Sequence, residues 1–262
     1  MNTIALLTDF GADDWFTAAV KAVIVSKNSK ARLIDISHSA ASHNINKAAF
    51  ILSSCFSYFP KKTVFIAVVD PGVGSSRRPI AIKTKNYFFV GPDNGVLSLA
   101  AEEDGIARIV ELKNKKYFLK EISSTFHGRD IFAPVAAYLS KGLNINKLGN
   151  PLKGIKKISF APAKLTRNKI YGEVLYADKF GNLITNIPCS LFESFKKQNN
   201  HFSCILNKKT IDREYSFYEQ ARDNEPFFIR GSAKFMEIAL KNKSAKDFFN
   251  LKTLNHKITV KN

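Results

Sequence analysis

The chain has 262 residues, 45% of them hydrophobic, and a formal net charge of +18; it is long enough for one large domain or two modest ones, with the composition of a soluble globular protein. No run reaches the roughly 18 apolar residues of a membrane span, and Cys55, Cys189 and Cys204 lack metal-ligand spacing, so they read as reduced thiols of a cytoplasmic protein. The charge alone points toward nucleic acid, but only nine of the 40 basic residues are Arg, and the Lys are scattered beside Asn in loops, so a solvated surface with unspecific attraction for anions or RNA is the better reading.

The N-terminus opens on a strand-like segment, Thr3 to Leu7, without the basic head and cleavage site of a secretory leader. Through the first 140 residues short apolar runs (Ile4–Leu7, Leu33–Ile36, Val64–Val69, Ile80–Ile82, Phe88–Val90) alternate with helical spacing over Phe16–Val25, Ala48–Phe59 and Asp130–Leu139. That alternation predicts an α/β domain: a mostly parallel sheet with helices on both faces. Three runs end in turn-forming polar motifs, Asp9-Phe10-Gly11, Asp70-Pro71-Gly72 and Gly91-Pro92-Asp93-Asn94-Gly95, which a parallel sheet gathers along its carboxyl edge.

Each motif has a functional and a plain reading. Asp9 can accept two hydrogen bonds from a ribose diol or form an Asx turn. Asp13 and Asp14 precede the first helix; capping suits Asp13, and Asp14 can hold a ligand ammonium group. Asp70, with Arg77 and Arg78 close behind, and His127 in Thr125-Phe126-His127-Gly128-Arg129-Asp130 form a set able to hold and polarise a small nucleophile. No metal is expected, because His38, His43 and His127 have no ligand partners at suitable spacing.

From about Asn150 the texture changes. Residues 151–166 read as a connector between an N-terminal domain (1–150) and a C-terminal one (167–262). Short strand-like pieces follow (Tyr171–Tyr176, Leu183–Ile187, Phe202–Leu206, Phe227–Ile229, Phe235–Leu240) with no strong helical segment between them, predicting a smaller all-β, barrel-like domain. Its densest polar cluster runs from Asp178 through Phe180 to Asn182, a carboxylate, a ring and an amide that can meet an amine, a purine face and a purine edge. Gly231-Ser232-Ala233 reads as a turn into a strand.

Taken in order, Thr-Asp-Phe-Gly, Asp-Pro-Gly-Val-Gly with its Arg pair, Gly-Pro-Asp-Asn-Gly, Phe-His-Gly-Arg-Asp, Asp-Lys-Phe-Gly-Asn-Leu-Ile-Thr-Asn-Ile and Gly-Ser resemble the S-adenosylmethionine hydroxide adenosyltransferases, relatives of the fluorinating and chlorinating enzymes. The resemblance implies attack of water or hydroxide on C5′ of S-adenosylmethionine, releasing adenosine and methionine without a cofactor. It implies that Asp70, Arg77 and His127 hold and polarise the water. It assigns Asp9 to the ribose hydroxyls, Asp14, Asp178 and Ser232 to the methionine amine and carboxylate, and Phe180 and Asn182 to adenine. It further implies a homotrimer with sites between subunits.

The fluorinating type has Tyr in place of Asp70, Thr in place of Val73 and Tyr-Ser in place of His127-Gly128, and carries an insertion where Lys83-Thr84-Lys85-Asn86 here runs directly into Tyr87. A carboxylate and an imidazole suit water rather than fluoride. Two departures from relatives stand out: the loop His38 to Ile45 has Ser42 or His43 where an aromatic is common, and Ala233 replaces an Arg. The competing expectations are a chloride-using adenosyltransferase, a catalytically silent S-adenosylmethionine- or adenosine-binding protein and, more distantly, an RNA-binding protein.

Overall fold

Every residue of Thr3–Thr8 (β1) is buried, as befits a strand covered on both faces. The computed structural model describes residues 3–11, 13–39, 44–199, 201–251 and 256–262; Ser42 and His43 lie outside them. The chain divides into two units, Met1–Ser159 and Phe160–Asn262. In the first, β1 is followed by α1 (Phe16–Lys27), β2 (Arg32–Ser37), α2 (Ile45–Cys55), β3 (Val64–Val68), β4 (Pro79–Thr84), β5 (Phe88–Pro92), α3 (Ser98–Glu103), β6 (Ile106–Leu112), α4 (Ala133–Ser140) and β7 (Gly149–Pro151). The seven strands form one sheet in the order β2-β1-β3-β5-β4-β6-β7.

The expected α/β class holds, with one refinement. The β2-β1-β3-β5 half is parallel, whereas β4 runs antiparallel to β5 and β6, and β6 to β7. Only three residues join β4 to β5, too few for the crossover a parallel pair requires. Side chains alternate between two cores. Ile4, Leu6, Val64 and Ile66 meet Val20 and Ile24 of α1 and Val135 of α4; Ala5, Leu7, Phe65 and Ala67 meet Ala48 and Leu52 of α2 and Ala100 of α3. Because β1, β2, β3 and β5 are parallel, their carboxyl ends share one edge, where the polar motifs lie.

The second unit contains β8 (Lys164–Thr166), β9 (Lys169–Ala177), β10 (Leu183–Pro188), α5 (Cys189–Gln198), β11 (Ser203–Leu206), β12 (Lys209–Ile211), β13 (Glu214–Tyr215), β14 (Phe227–Arg230), β15 (Phe235–Ala239), α6 (Ala245–Phe248) and β16 (Lys257–Lys261). Nine strands form a curled half-barrel in the order β12-β11-β16-β9-β10-β15-β14-β13, with β8 on β9. The expectation of no substantial helix here is corrected by α5, ten residues long, which buries Phe192 and Phe195 in the unit's core.

Candidate active site

The strand ends aim the first set of side chains. Beyond β3, the Val73 amide donates to the Asp70 carbonyl and that of Ser75 to the Gly72 carbonyl, closing two successive turns. Gly74 sits at φ +77°, and a Cβ there would collide with the Ser124 carbonyl. Glycine is therefore required both for the left-handed backbone and for contact with the segment leading to His127. On the neighbouring strand end, Asn94 Nδ2 donates to the Val69 carbonyl at 2.8 Å, fixing the peptide from which Asp70 projects.

His127 is set from the other side. It precedes a π-helical turn, Gly128–Phe132, that runs into α4; such wide turns re-aim side chains near functional sites. Fully buried Asp130 accepts from the Ser123 amide at 2.8 Å and from Arg129 Nε at 2.6 Å, and the Arg129 guanidinium lies 5.0 Å from the Phe126 ring centre. Asp130 thus locks the loop carrying His127.

These supports bring Asp70, Arg77 and His127 together. Arg77 donates through Nε at 2.9 Å and Nη2 at 2.5 Å to Asp70 Oδ2, and Nη2 also lies 2.7 Å from His127 Nδ1. The Asp70 and Arg77 side chains are only 5% and 10% exposed, so their fork-to-carboxylate geometry is largely shielded from solvent. A guanidinium can only donate. Nδ1 of His127 is therefore the acceptor, and the neutral ring carries its proton on Nε2. Burial and the adjacent Arg77 charge push the His127 pKa below its ordinary value, against the opposing pull of Asp70 and Asp130.

Asp9 closes the group. With Phe10, Asp70, Val73, His127 and Gly128 it lines a cavity of about 90 Å³. A Cβ on Gly128 would press on the Phe10 ring at 3.1 Å, so glycine keeps this wall open. Arg78 turns elsewhere, pairing with the buried carboxylate of Asp93, whose other oxygen accepts from the Lys156 amide at 2.7 Å. Asp13 and Asp14 are exposed. Neither caps α1, whose N-cap is Trp15 without a side-chain cap, so the capping expectation for Asp13 is corrected. Asp14 does not line the cavity.

In the second unit Asp178, Phe180 and Asn182 share one turn. Asp178 Oδ1 accepts from the Phe180 and Asn182 amides at 2.9 and 2.8 Å, and Oδ2 from Asn182 Nδ2 at 3.0 Å. The Phe180 ring is 76% exposed. Phe180 and Asn182 line an open hollow of about 600 Å³ with Tyr218, Asn242 and Ser244. Ser232 sits exposed on the turn between β14 and β15 and does not line that hollow. Sequence reasoning overlooked Tyr218, whose hydroxyl meets Asn182 Nδ2 at 3.3 Å, and Glu237. Burial, with the Asp178 charge adding to it, raises the Glu237 pKa.

Models of the N-terminal and C-terminal domains of SAM hydroxide adenosyltransferase match residues 4–149 and 172–256. A protein of Methanocaldococcus jannaschii named (R)-S-adenosyl-L-methionine hydrolase is 34% identical, covering 84% of this chain and 90% of its own. The Thermus thermophilus protein of the same name is 33% identical over 96% and 97%, and a fluorinase of an Actinoplanes species is 26% identical over 70% and 71%. The crystal structure of an uncharacterised conserved protein from Thermotoga maritima superposes with a TM-score of 0.90 at 37% identity, covering 99% of this chain and all of that one. With both domain models matched in order and these relatives aligned along most of its length, the chain belongs to the SAM hydroxide adenosyltransferase family.

Proposed function

We propose that the chain hydrolyses S-adenosyl-L-methionine to adenosine and L-methionine, with the (R)-sulfonium epimer named for its relatives as the preferred substrate. The observation that carries this reading is the shielded Asp70–Arg77–His127 group beside a cavity that Asp9 also lines. In the reaction a water oxygen forms a bond to C5′ as the C5′–S bond breaks, and the electron pair goes to sulfur, leaving a neutral thioether. The tasks left to the protein are alignment of the oxygen and removal of one proton.

The hydrogen-bond directions divide those tasks. His127 donates from Nε2, orienting a lone pair of the water. Asp70, the acceptor of the group, takes the proton. A strong base is unnecessary, because the attacking oxygen becomes a strongly acidic oxonium as its bond to carbon forms. Arg77 holds both partners in register. Asp9 binds the ribose diol; Asp14, Asp178 and Ser232 hold the amino-acid end, and Phe180 and Asn182 the adenine. The exposed rings of Trp15 and Phe180 fit assembly into the family's homotrimer, which light scattering at about three times 29.3 kDa would support.

The decisive test is chromatography after incubation with each sulfonium epimer, first without halide and then in excess chloride. Equal amounts of adenosine and methionine, formed from the (R) epimer and independent of chloride, support the reading. A 5′-chloronucleoside, or binding without turnover, overturns it.

Two further results are expected. Asp9→Ala should weaken adenosine binding by about 2 kcal/mol, the loss of charge-assisted hydrogen bonds to the diol; unchanged affinity by calorimetry rejects the ribose role. The pH profile of kcat/KM should show an acid limb below about 6.5. Protonated His127 would turn an N–H toward Arg77, and the folded protein resists that charge. Since the folded pKa is the lower one, the unfolded state binds more protons in the window beneath 6.5, and the stability contribution, full above that window, is lost as pH falls through it. A limb that survives unaltered in His127→Gln would assign it to another group.

A further inference from the structure

A second polar chain lies behind the Asp9 loop, apart from the reacting group. His38, immediately beyond β2, has a side chain only 11% exposed, and its Nε2 lies 3.0 Å from Asp35 Oδ1. Asp35 Oδ2 accepts from Lys21 Nζ on α1 at 2.5 Å. Burial alone would raise the Asp35 pKa; neighbouring Lys21 and His38 lower it overall, so the carboxylate is ionised and only accepts. His38 Nδ1 lies 2.8 Å from the hydroxyl of buried Thr8, within hydrogen-bond reach. Thr8 Oγ1 in turn accepts from the Phe10 amide at 3.3 Å. The His38 carbonyl takes the next amide, that of Gly11, at 2.8 Å.

The result is a chain of contacts, from Lys21 through Asp35 and His38 to Thr8, that ends on the backbone around Asp9. Thr8 precedes Asp9, and the two amides that follow it are both tied to this series. Phe10, held in the same way, forms the cavity wall against Gly128.

We infer that His38 is a positioning residue for nucleoside binding: through Thr8 and its own carbonyl it fixes the loop that presents Asp9, and so sets the protein's selectivity for a ribose diol. This rests on the ribose role of Asp9 proposed above. His38 does not line the cavity, so its removal acts on affinity and leaves the reaction step at Asp70 in place.

The test compares calorimetric affinities for adenosine and 2′,3′-dideoxyadenosine, which lacks the diol. The wild-type protein should prefer adenosine by at least about tenfold, since a site built to hydrogen-bond hydroxyls rejects the analogue without them. Thr8→Val, nearly isosteric, should cut that preference about fivefold and raise KM with kcat changed less than about twofold, whereas Thr8→Ser retains wild-type behaviour. His38→Ala should match Thr8→Val, and the double variant should be no worse than either, as expected for members of one unit. Thermal melting monitors folding separately; a lower melting temperature with the preference intact is the mark of a merely structural role and overturns the inference. Full preference in the variants, with the wild type selective, defeats the positioning role alone. Equal binding of both nucleosides by the wild type defeats the ribose role of Asp9 and the inference with it.

Discussion

Asp70→Asn should lower kcat by roughly 10²–10⁴-fold, the range of a lost acid–base group, while substrate affinity stays within about threefold of the wild type. The amide keeps the volume of the carboxylate and one acceptor oxygen, so the cavity survives. It cannot take the proton from the attacking water, and it offers Arg77 no counter-charge. The Asp70–Arg77 pair is nearly buried, at 5% and 10% exposure, and removing one partner of such a pair costs about 3–5 kcal/mol when the other charge is left alone. Asp70→Ala would add lost volume and a lost acceptor to that cost, which is why the isosteric change is the cleaner probe. Single-turnover chromatography separates the two effects. Equal losses in binding and turnover would move Asp70 from the reaction step to substrate binding.

The features legible in the sequence were those written in neighbouring residues. A hydrophobic run that stops at Asp70-Pro71-Gly72 marks both a buried parallel strand and its carboxyl end, and the loop grouping follows from the sheet. Features depending on distant partners were not legible. The choice between Arg77 and Arg78 is one example. The Thr8–His38 bond, spanning 30 positions, is another: His38 reads as an ordinary loop histidine until β1 and β2 are laid side by side. The helix α5 escaped notice because its buried face is only Phe192 and Phe195 within a polar segment, and burial against the half-barrel, rather than helix propensity, stabilises it. The strand β16, with alternation confined to Lys257–Lys261, is shorter still and gains its meaning from pairing with β9 and β11.

The adjacent arginines supply the sharpest contrast. Arg77→Lys should reduce kcat by about 10²-fold or more, whereas Arg78→Lys should leave it within about threefold. The two neighbours, just before β4, send their side chains to different partners. Arg77 accordingly reaches Asp70 and His127, and Arg78 reaches Asp93. A lysine ammonium is a single compact charge; it can meet Asp70 but cannot also present a coplanar donor to His127 Nδ1. The His127 ring would lose its orientation, although the positive charge that helps lower the His127 pKa is retained. At position 78 a lysine can still meet Asp93, whose own place is secured by the Lys156 amide, and the Arg78 side chain is already 41% exposed. The cost there should be a modest loss of thermal stability. Parallel measurement of kcat, melting temperature and pH profile for the two variants decides the assignment. Loss of turnover in Arg78→Lys, with Arg77→Lys still active, would exchange their roles and dismantle the Asp70–Arg77–His127 group as the reacting centre.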